Sequence, residues 1–234
     1  MKRRSWLYPS IITVVFVVFL ISCKKDTSNI FPNTVTDYDG NVYHTVQIGS
    51  QTWMVENLIT THYRNGGAIA NVQDSIQWGS QPTGAYCIYD DSAYNLINYG
   101  VLYNWYAASD TGIAPIGFHV AADSDWNKLI TYLGGDSIAG SKMHNLDTTF
   151  WYTPNYGYND TATFAAQPAG YRSYDTANVN AFQYYGLNYK AYWWSATSLS
   201  STSASAWHIS GDSLGIYHDS LDYRFGLGIR CVKN

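Results

Sequence analysis

The sequence predicts an α+β domain, and three observations carry that prediction. Strand-like alternation recurs near both ends of the chain, one amphipathic helix lies between them, and a long tyrosine- and glycine-rich stretch shows no period of its own. Strands at both ends can then share a sheet, with the helix laid on it.

The opening stretch, residues 34–58, is punctuated by turn chemistry at Asp39-Gly40-Asn41 and at Gly49-Ser50. Between these turns Val42, His44, Val46 and Ile48 alternate with Tyr43, Thr45 and Gln47, which predicts a meander of half-buried strands. Trp53, Met54 and Leu58 weight the last of them, beside Glu56, the only glutamate in the chain. Residues 60–83 read as an irregular loop pinned by Ile69, Val72, Ile76 and Trp78. A short strand follows over 84–89, then a brief helix over 93–97 capped by Asp90-Asp91-Ser92. Val101, Tyr103 and Trp105 alternate against Leu102, Asn104 and Tyr106, predicting a further strand.

The clearest helix begins at Asp123-Ser124-Asp125 and carries Trp126, Leu129, Ile130 and Leu133 at i, i+3, i+4 and i+7 before Gly134-Gly135. A weaker one spans 137–144. Residues 145–190 hold eight tyrosines and no sustained periodicity, so the stretch reads as a long loop ordered by packing its own rings. Strand signals return over 191–195, 206–210, 215–218 and 225–232, with a turn at Gly211-Asp212.

Aromatic residues make up 17% of the chain, and its 22 Tyr and 9 Trp outnumber 8 Phe, so the rings that dominate carry a polar handle. Such rings suit half-wet surfaces. From Cys23 onward, 10 Lys and Arg face 17 Asp and Glu, a balance of −7, and no basic cluster follows Lys24-Lys25. A phosphate-backbone partner needs a basic face, so nucleic acid is not an expected partner.

Residues 1–22 read as a signal peptide: Lys2, Arg3 and Arg4 precede an apolar run over 11–21, too short for a settled membrane span. The run ends in Leu20-Ile21-Ser22-Cys23, which resembles the lipobox of bacterial lipoproteins, with Cys23 as the acylated residue. The expectation is an anchor at Cys23, a tether over 23–33 and a domain over 34–234. Acyl chains contribute ~0.8 kcal/mol per buried CH₂, enough in pairs to hold a domain at a membrane in the cell envelope, the outer membrane above all.

Several stretches, in order, resemble the Fibrobacter succinogenes major paralogous domain. They are Asp39-Gly40-Asn41-Val42-Tyr43, Ile48-Gly49-Ser50-Gln51-Thr52-Trp53-Met54 with Glu56-Asn57-Leu58, and Gly84-Ala85-Tyr86-Cys87. Tyr103-Asn104-Trp105-Tyr106-Ala107, Gly117-Phe118-His119-Val120, Tyr192-Trp193-Trp194-Ser195 and Arg230-Cys231-Val232 complete the set. The resemblance implies a C-type-lectin-like fold of small antiparallel sheets, one or two short helices and a long irregular loop region. It also implies a surface protein of Bacteroidetes or Fibrobacteres, often a lipoprotein, with no characterised activity. Where the family pattern carries Cys-Pro, this chain has Ala114-Pro115, and Phe118 replaces a Trp, so the resemblance leaves Cys231 without its customary partner. A Cys87–Cys231 disulfide is the expectation; two buried thiols are the alternative.

Six histidines, at 44, 62, 119, 144, 208 and 218, show no His-Glu-x-x-His spacing, and no nucleophile elbow occurs, so neither a metal, a cofactor nor a catalytic site is expected. His208 and His218 sit on facing strands of a predicted hairpin and read as a cross-strand structural pair. Rings expected to touch a ligand are Trp193, Trp194, Tyr171, Tyr184 and Tyr185, because flat sugar faces suit exposed aromatic rings. The first functional reading is therefore a lipid-anchored, non-catalytic surface domain that binds a glycan or a partner protein. The second is a structural or adhesin-associated surface component. The third is an oxidase, since the tail Gly228-Ile229-Arg230-Cys231-Val232 resembles the ending of formylglycine-generating enzymes, though the neighbouring cysteine pair those enzymes use is missing.

Overall fold

A computed structural model describes residues 33–147, 149–152, 158–174 and 181–234. The expected signal peptide, the expected anchor at Cys23 and the expected tether up to Pro32 lie outside the described residues. In chain order the elements begin with β1 (Asn33–Thr36), β2 (Val42–Ile48), β3 (Gln51–Met54), β4 (Ala70–Asn71), α1 (Ser75–Gly79) and β5 (Ala85–Cys87). Then come α2 (Ala93–Tyr99), β6 (Leu102–Tyr103), α3 (Trp105–Ala108), β7 (Phe118–Val120), α4 (Asp123–Leu133) and α5 (Asp136–Ala139). The last third is β8 (Ala169–Tyr174), β9 (Phe182–Leu187), β10 (Lys190–Ser198), β11 (Ser203–Ser210), β12 (Tyr217–Asp222) and β13 (Cys231–Lys233).

These strands make an α+β fold of three sheets, ordered β1-β2-β3-β13-β7, β12-β11-β10-β8-β9 and β4-β5-β6. Pairing is antiparallel except for β8 with β10 and β4 with β5. As expected from the sequence, the two ends of the domain share a sheet: Val232 of β13 pairs with Trp53 of β3. No helix among the described residues is long and apolar enough to cross a membrane.

The opening meander forms, with its phase set by packing instead of hydropathy. Tyr43 and Thr45 are buried while Val42 is 58% exposed. Tyr43 goes in because its hydroxyl finds partners there, donating to Asp37 Oδ2 (2.6 Å) and accepting from the Ile59 N–H (3.0 Å). The strand predicted over 101–106 stops at Tyr103. Asn104 turns the chain into α3, its side-chain oxygen accepting from the Ala107 N–H at 3.1 Å.

Helix α4 buries Trp126, Leu129, Ile130 and Leu133 as its periodicity demands. Asp125 reaches back to the Ala122 N–H (3.0 Å), and Gly134 ends the helix at φ 104°, a conformation that suits a residue without Cβ. The helix expected over 137–144 is shorter, a turn of α5 followed by a 3-10 turn over Gly140–Lys142.

The stretch 145–190 is not one irregular loop, because β8 and β9 pair as a hairpin there. Arg172 of β8 is turned inward, 1% exposed, so a charge stands where the alternation would show an apolar residue. Arg172 donates to the carbonyls of Val72 (2.9 Å) and Gln73 (2.6 Å) and lies between the Trp78 and Tyr184 rings, 4.7 and 4.9 Å from their centroids.

Strand β10 runs between two clusters of buried side chains. Tyr192 and Trp194 join one with Tyr43, Tyr103 and Ala206; Ala191 and Trp193 join the other with Trp53, Trp126 and Phe164. Arg230, 1% exposed, ties the second cluster together. Its guanidinium donates to the carbonyls of Met54 (3.0 Å), Val55 and Phe164 (2.9 Å) and to Asn57 Oδ1 (3.1 Å), and it covers the Phe164 ring at 4.3 Å. Burial pulls its pKa down to about 9, which leaves it charged at neutral pH.

The expected Cys87–Cys231 disulfide is not formed: both are free, buried thiols. Cys87 belongs to a third cluster, with Trp78 and Phe182, and Cys231 to the cluster of Tyr43 and Trp194. Each is packed as a small apolar residue, and burial pushes their pKa values up to about 11 and about 12.

Candidate functional site

Five rings, one from each strand of the second sheet, stand side by side on one face. Strand register brings them together: Tyr185 of β9 opposes Tyr171 of β8, Tyr192 of β10 opposes His208 of β11, and His208 opposes Tyr217 of β12. Gly170 of β8 pairs with Ala191 of β10, which sets Tyr171 beside Tyr192. Successive ring centroids are 5.7, 4.8, 4.4 and 5.2 Å apart from Tyr185 to Tyr217. Gly170 has no alternative here: at φ +66° a Cβ would lie 2.5 Å from the Tyr185 carbonyl oxygen.

The spacing fixes how the rings stand. Tyr192 and His208 are 22° from parallel at 4.4 Å, and His208 and Tyr217 are 24° from parallel at 5.2 Å. Near-parallel rings this close overlap face to face, so within the column Tyr192, His208 and Tyr217 spend the faces between them on one another, while Tyr171 is tilted 55° from Tyr192 and 31° from Tyr185. Both ends are on edge strands, where Tyr185 is 37% and Tyr217 45% exposed, against 8% for Tyr192 in the middle.

A basin of about 670 Å³ opens at the Tyr217 end, lined by His208, Asp219, Asp212, Lys190 and Ser213 among others. Asp219 Oδ2 lies 2.7 Å from His208 Nδ1, and that contact, with help from the Tyr192 hydroxyl and Lys190, holds the Asp219 carboxyl below its usual pKa despite burial. Asp212 is held low as well, by the Tyr189 hydroxyl first and then by the Ser210 hydroxyl, which donates at 2.8 Å. Both are therefore ionised acceptors at neutral pH. Lys190 places its ammonium 5.8 Å from the Tyr192 centroid, and Ser213 Oγ lies 2.6 Å from the Tyr217 hydroxyl.

Two of the five rings expected to meet a ligand, Tyr171 and Tyr185, are in the column. The other three are corrected. Trp193 and Trp194 are both 0% exposed, their indole N–H groups donating to Asn57 Oδ1 (2.9 Å) and the Tyr103 carbonyl (2.8 Å). Tyr184 points to the opposite face, 4.9 Å from the Tyr89 centroid, with its hydroxyl 2.9 Å from the Gln73 amide. Sequence reasoning missed Tyr192, His208 and Tyr217 as column members. The hairpin was legible, but its long connection after Gly211-Asp212 hid the register that pairs 208 with 217.

His208 and His218 do not pair with each other, being one residue out of register. His218 Nε2 lies 2.6 Å from Ser205 Oγ, which donates to Asp123 Oδ1 at 2.5 Å. This is not a nucleophile relay, because the carboxylate holds the serine instead of orienting the imidazole, and Ser205 is 0% exposed. Among the described residues no three His, Cys, Asp or Glu side chains are grouped to hold a metal. Another groove, about 580 Å³ and mainly apolar, lies between the opening meander and α2, with Asp39 and Glu56 at 2.6 Å from His62 and His44.

The chain matches the Fibrobacter succinogenes major domain over residues 46–233, well over half its length. It belongs to that family. No curated protein and no solved structure matches it. The stretches that carry the family resemblance build the scaffold: Trp53 is buried, and Asn57, Tyr103, Asn104, Trp194 and Arg230 are buried and bonded to one another or to the backbone. Asp212, Tyr217 and Asp219 lie within the matched span but outside those stretches.

Proposed function

We propose that this family member is a lipid-anchored cell-envelope protein whose non-catalytic, lectin-like domain binds a glycan at the ring column and its basin. The charged start, short apolar run and Leu20-Ile21-Ser22-Cys23 support the anchor. One observation carries the binding reading: an aromatic face left free at Tyr217 stands beside two ionised carboxylates and a lysine in an open basin. That combination matches a sugar, which offers an apolar ring face and a rim of hydroxyl donors. The test is a glycan array probed with the full-length protein in detergent micelles, where saturable binding to at least one glycan class is expected. Globomycin applied to the expressing cells is expected to block processing at Cys23, and unchanged processing would remove the anchor from this reading.

The self-stacking of the column favours a second reading, a structural surface component whose rings stiffen the sheet. On that reading the array stays blank while the domain is folded.

A further inference from the structure

We infer that the Tyr217 end of the column is a subsite for one uncharged pyranose, with Tyr217 as platform, Asp212 and Asp219 as hydroxyl acceptors, and anionic sugars excluded. The inference rests on the glycan-binding reading above and narrows it in place and in charge.

The place follows from ring geometry. A sugar stacks on a ring face, and the faces between Tyr192, His208 and Tyr217 are taken up by overlap at 4.4 and 5.2 Å. Free faces remain at the two edge strands, but the basin is lined by Tyr217 and not by Tyr185. Tyr217 is also held in one pose, with Ser213 Oγ 2.6 Å from its hydroxyl and the His208 ring behind it, so ordering the platform costs little side-chain entropy on binding.

The charge follows from the lining. Asp212 and Asp219 line the basin with Tyr217, against Lys190 as the one lysine among the described lining residues; His208 and His218 line it too, with His208 Nδ1 2.7 Å from Asp219 Oδ2. Lys190 already serves those carboxylates, as it helps to hold both ionised. Sugar hydroxyls donate to such oxygens in charge-assisted hydrogen bonds. A uronate or sulfate would instead bring a like charge against these two carboxylates, and the net −7 of the chain from Cys23 onward adds to the repulsion.

The experiment titrates the full-length protein in micelles with neutral gluco- and manno-oligosaccharides, oligo-uronates and a sulfated oligosaccharide, at pH 7.5 and 50 mM salt. A neutral series is expected to bind, with oligo-uronates at least tenfold weaker. Tyr217→Ala is expected to lower affinity for the neutral series at least tenfold, Tyr217→Phe to retain most of it, and Tyr185→Ala to change it less than twofold. Asp212→Lys is expected to narrow the gap between neutral and uronate sugars. Near-UV circular dichroism of each variant confirms that the aromatic packing is intact. Glycan binding that survives Tyr217→Ala, or uronates binding as tightly as neutral sugars, overturns the subsite and leaves the wider reading standing. A folded wild-type protein that binds none of the series overturns both.

Discussion

The domain contains two assemblies of aromatic rings, back to back across β10, and they are built on opposite rules. On one side Trp193 meets Trp126 at 5.6 Å and Phe164 edge-on at 5.6 Å, with the Arg230 guanidinium closing the group. On the other, Tyr192 belongs to a row of neighbouring rings, stacked towards Tyr217 and tilted towards Tyr185, that reaches solvent at both ends. In the first group the Trp193 indole donates to Asn57 Oδ1 and the Arg230 guanidinium to the Phe164 carbonyl, while the Trp53 and Trp126 indole nitrogens are buried with no hydrogen-bond partner among the described residues. In the second the Tyr192 hydroxyl meets Asp219 and the Tyr217 hydroxyl meets Ser213. Adjacent residues on one strand thus take opposite roles, Trp193 in a closed cluster and Tyr192 in a row that runs out to both edge strands.

The contrast breaks if the two sides respond alike to truncation. Trp193→Ala removes a fully buried indole and one of the donors to Asn57 Oδ1, so a loss of about 3–5 kcal/mol is expected in urea unfolding. Tyr217→Ala on the edge strand is expected to cost less than about 1 kcal/mol, since the site is half exposed and one ring contact is lost. A Trp193→Ala cost as small as that of Tyr217→Ala would mean that the closed cluster is not the stabilising one.

Asp160 sharpens the description of the closed side. It accepts from the Ala165 N–H at 3.1 Å on the segment that seats Phe164 under Arg230, and burial pushes its pKa up to about 7, overriding those hydrogen bonds and the attraction of Arg230. A carboxyl with a raised pKa stabilises the fold when protonated. That contribution is fully present below the unfolded value near 4 and is lost as pH rises through about 7. Asp160→Asn keeps the acceptor and tolerates the φ of +36° found there. The variant is expected to match the wild type at pH 4 and to exceed it in stability by a few kcal/mol at pH 8, because each tenfold change in proton affinity between the folded and unfolded states is worth about 1.4 kcal/mol. Urea midpoints at the two pH values decide it; a gap that grows toward low pH would reverse the assignment.

How much of this was legible in the sequence depended on whether packing followed hydropathy. Helix α4 was, because Trp126, Leu129, Ile130 and Leu133 make one stripe and Gly134 can take the stop conformation. The shared sheet of the two chain ends was legible for the same reason. The β8–β9 hairpin was not, since Arg172 fills an inward position whose acceptors, Val72 and Gln73, are a hundred residues away in the chain. Val42 and Tyr43 misled in the same manner: the valine is outside and the tyrosine inside because Asp37 waits for its hydroxyl. At the site, Tyr171 and Tyr185, two of the rings expected to meet a ligand, lie in the column. Trp193 and Trp194 were misplaced because adjacent strand residues imply one exposed face, and β10 is covered on both.

The smallest expected effect concerns the two thiols, which bear on whether ring packing alone holds the closed side. A bridge closing the loop between Cys87 and Cys231 would contribute ~4 to 5 kcal/mol in the chain-entropy model, comparable with the whole Trp193 cluster term. The thiols sit in different clusters, one beside Trp78 and one beside Val120 across the β13–β7 pair, so neither has the other within its packing shell. Adding reductant to the full-length protein is therefore expected to leave the thermal midpoint unchanged, whereas Cys231→Ser, which places a hydroxyl in an apolar site, is expected to lower it. A fall in the midpoint with reductant alone would show that covalent closure shares the task assigned to Arg230 and the buried indoles, and the contrast between the two ring assemblies would lose its energetic basis.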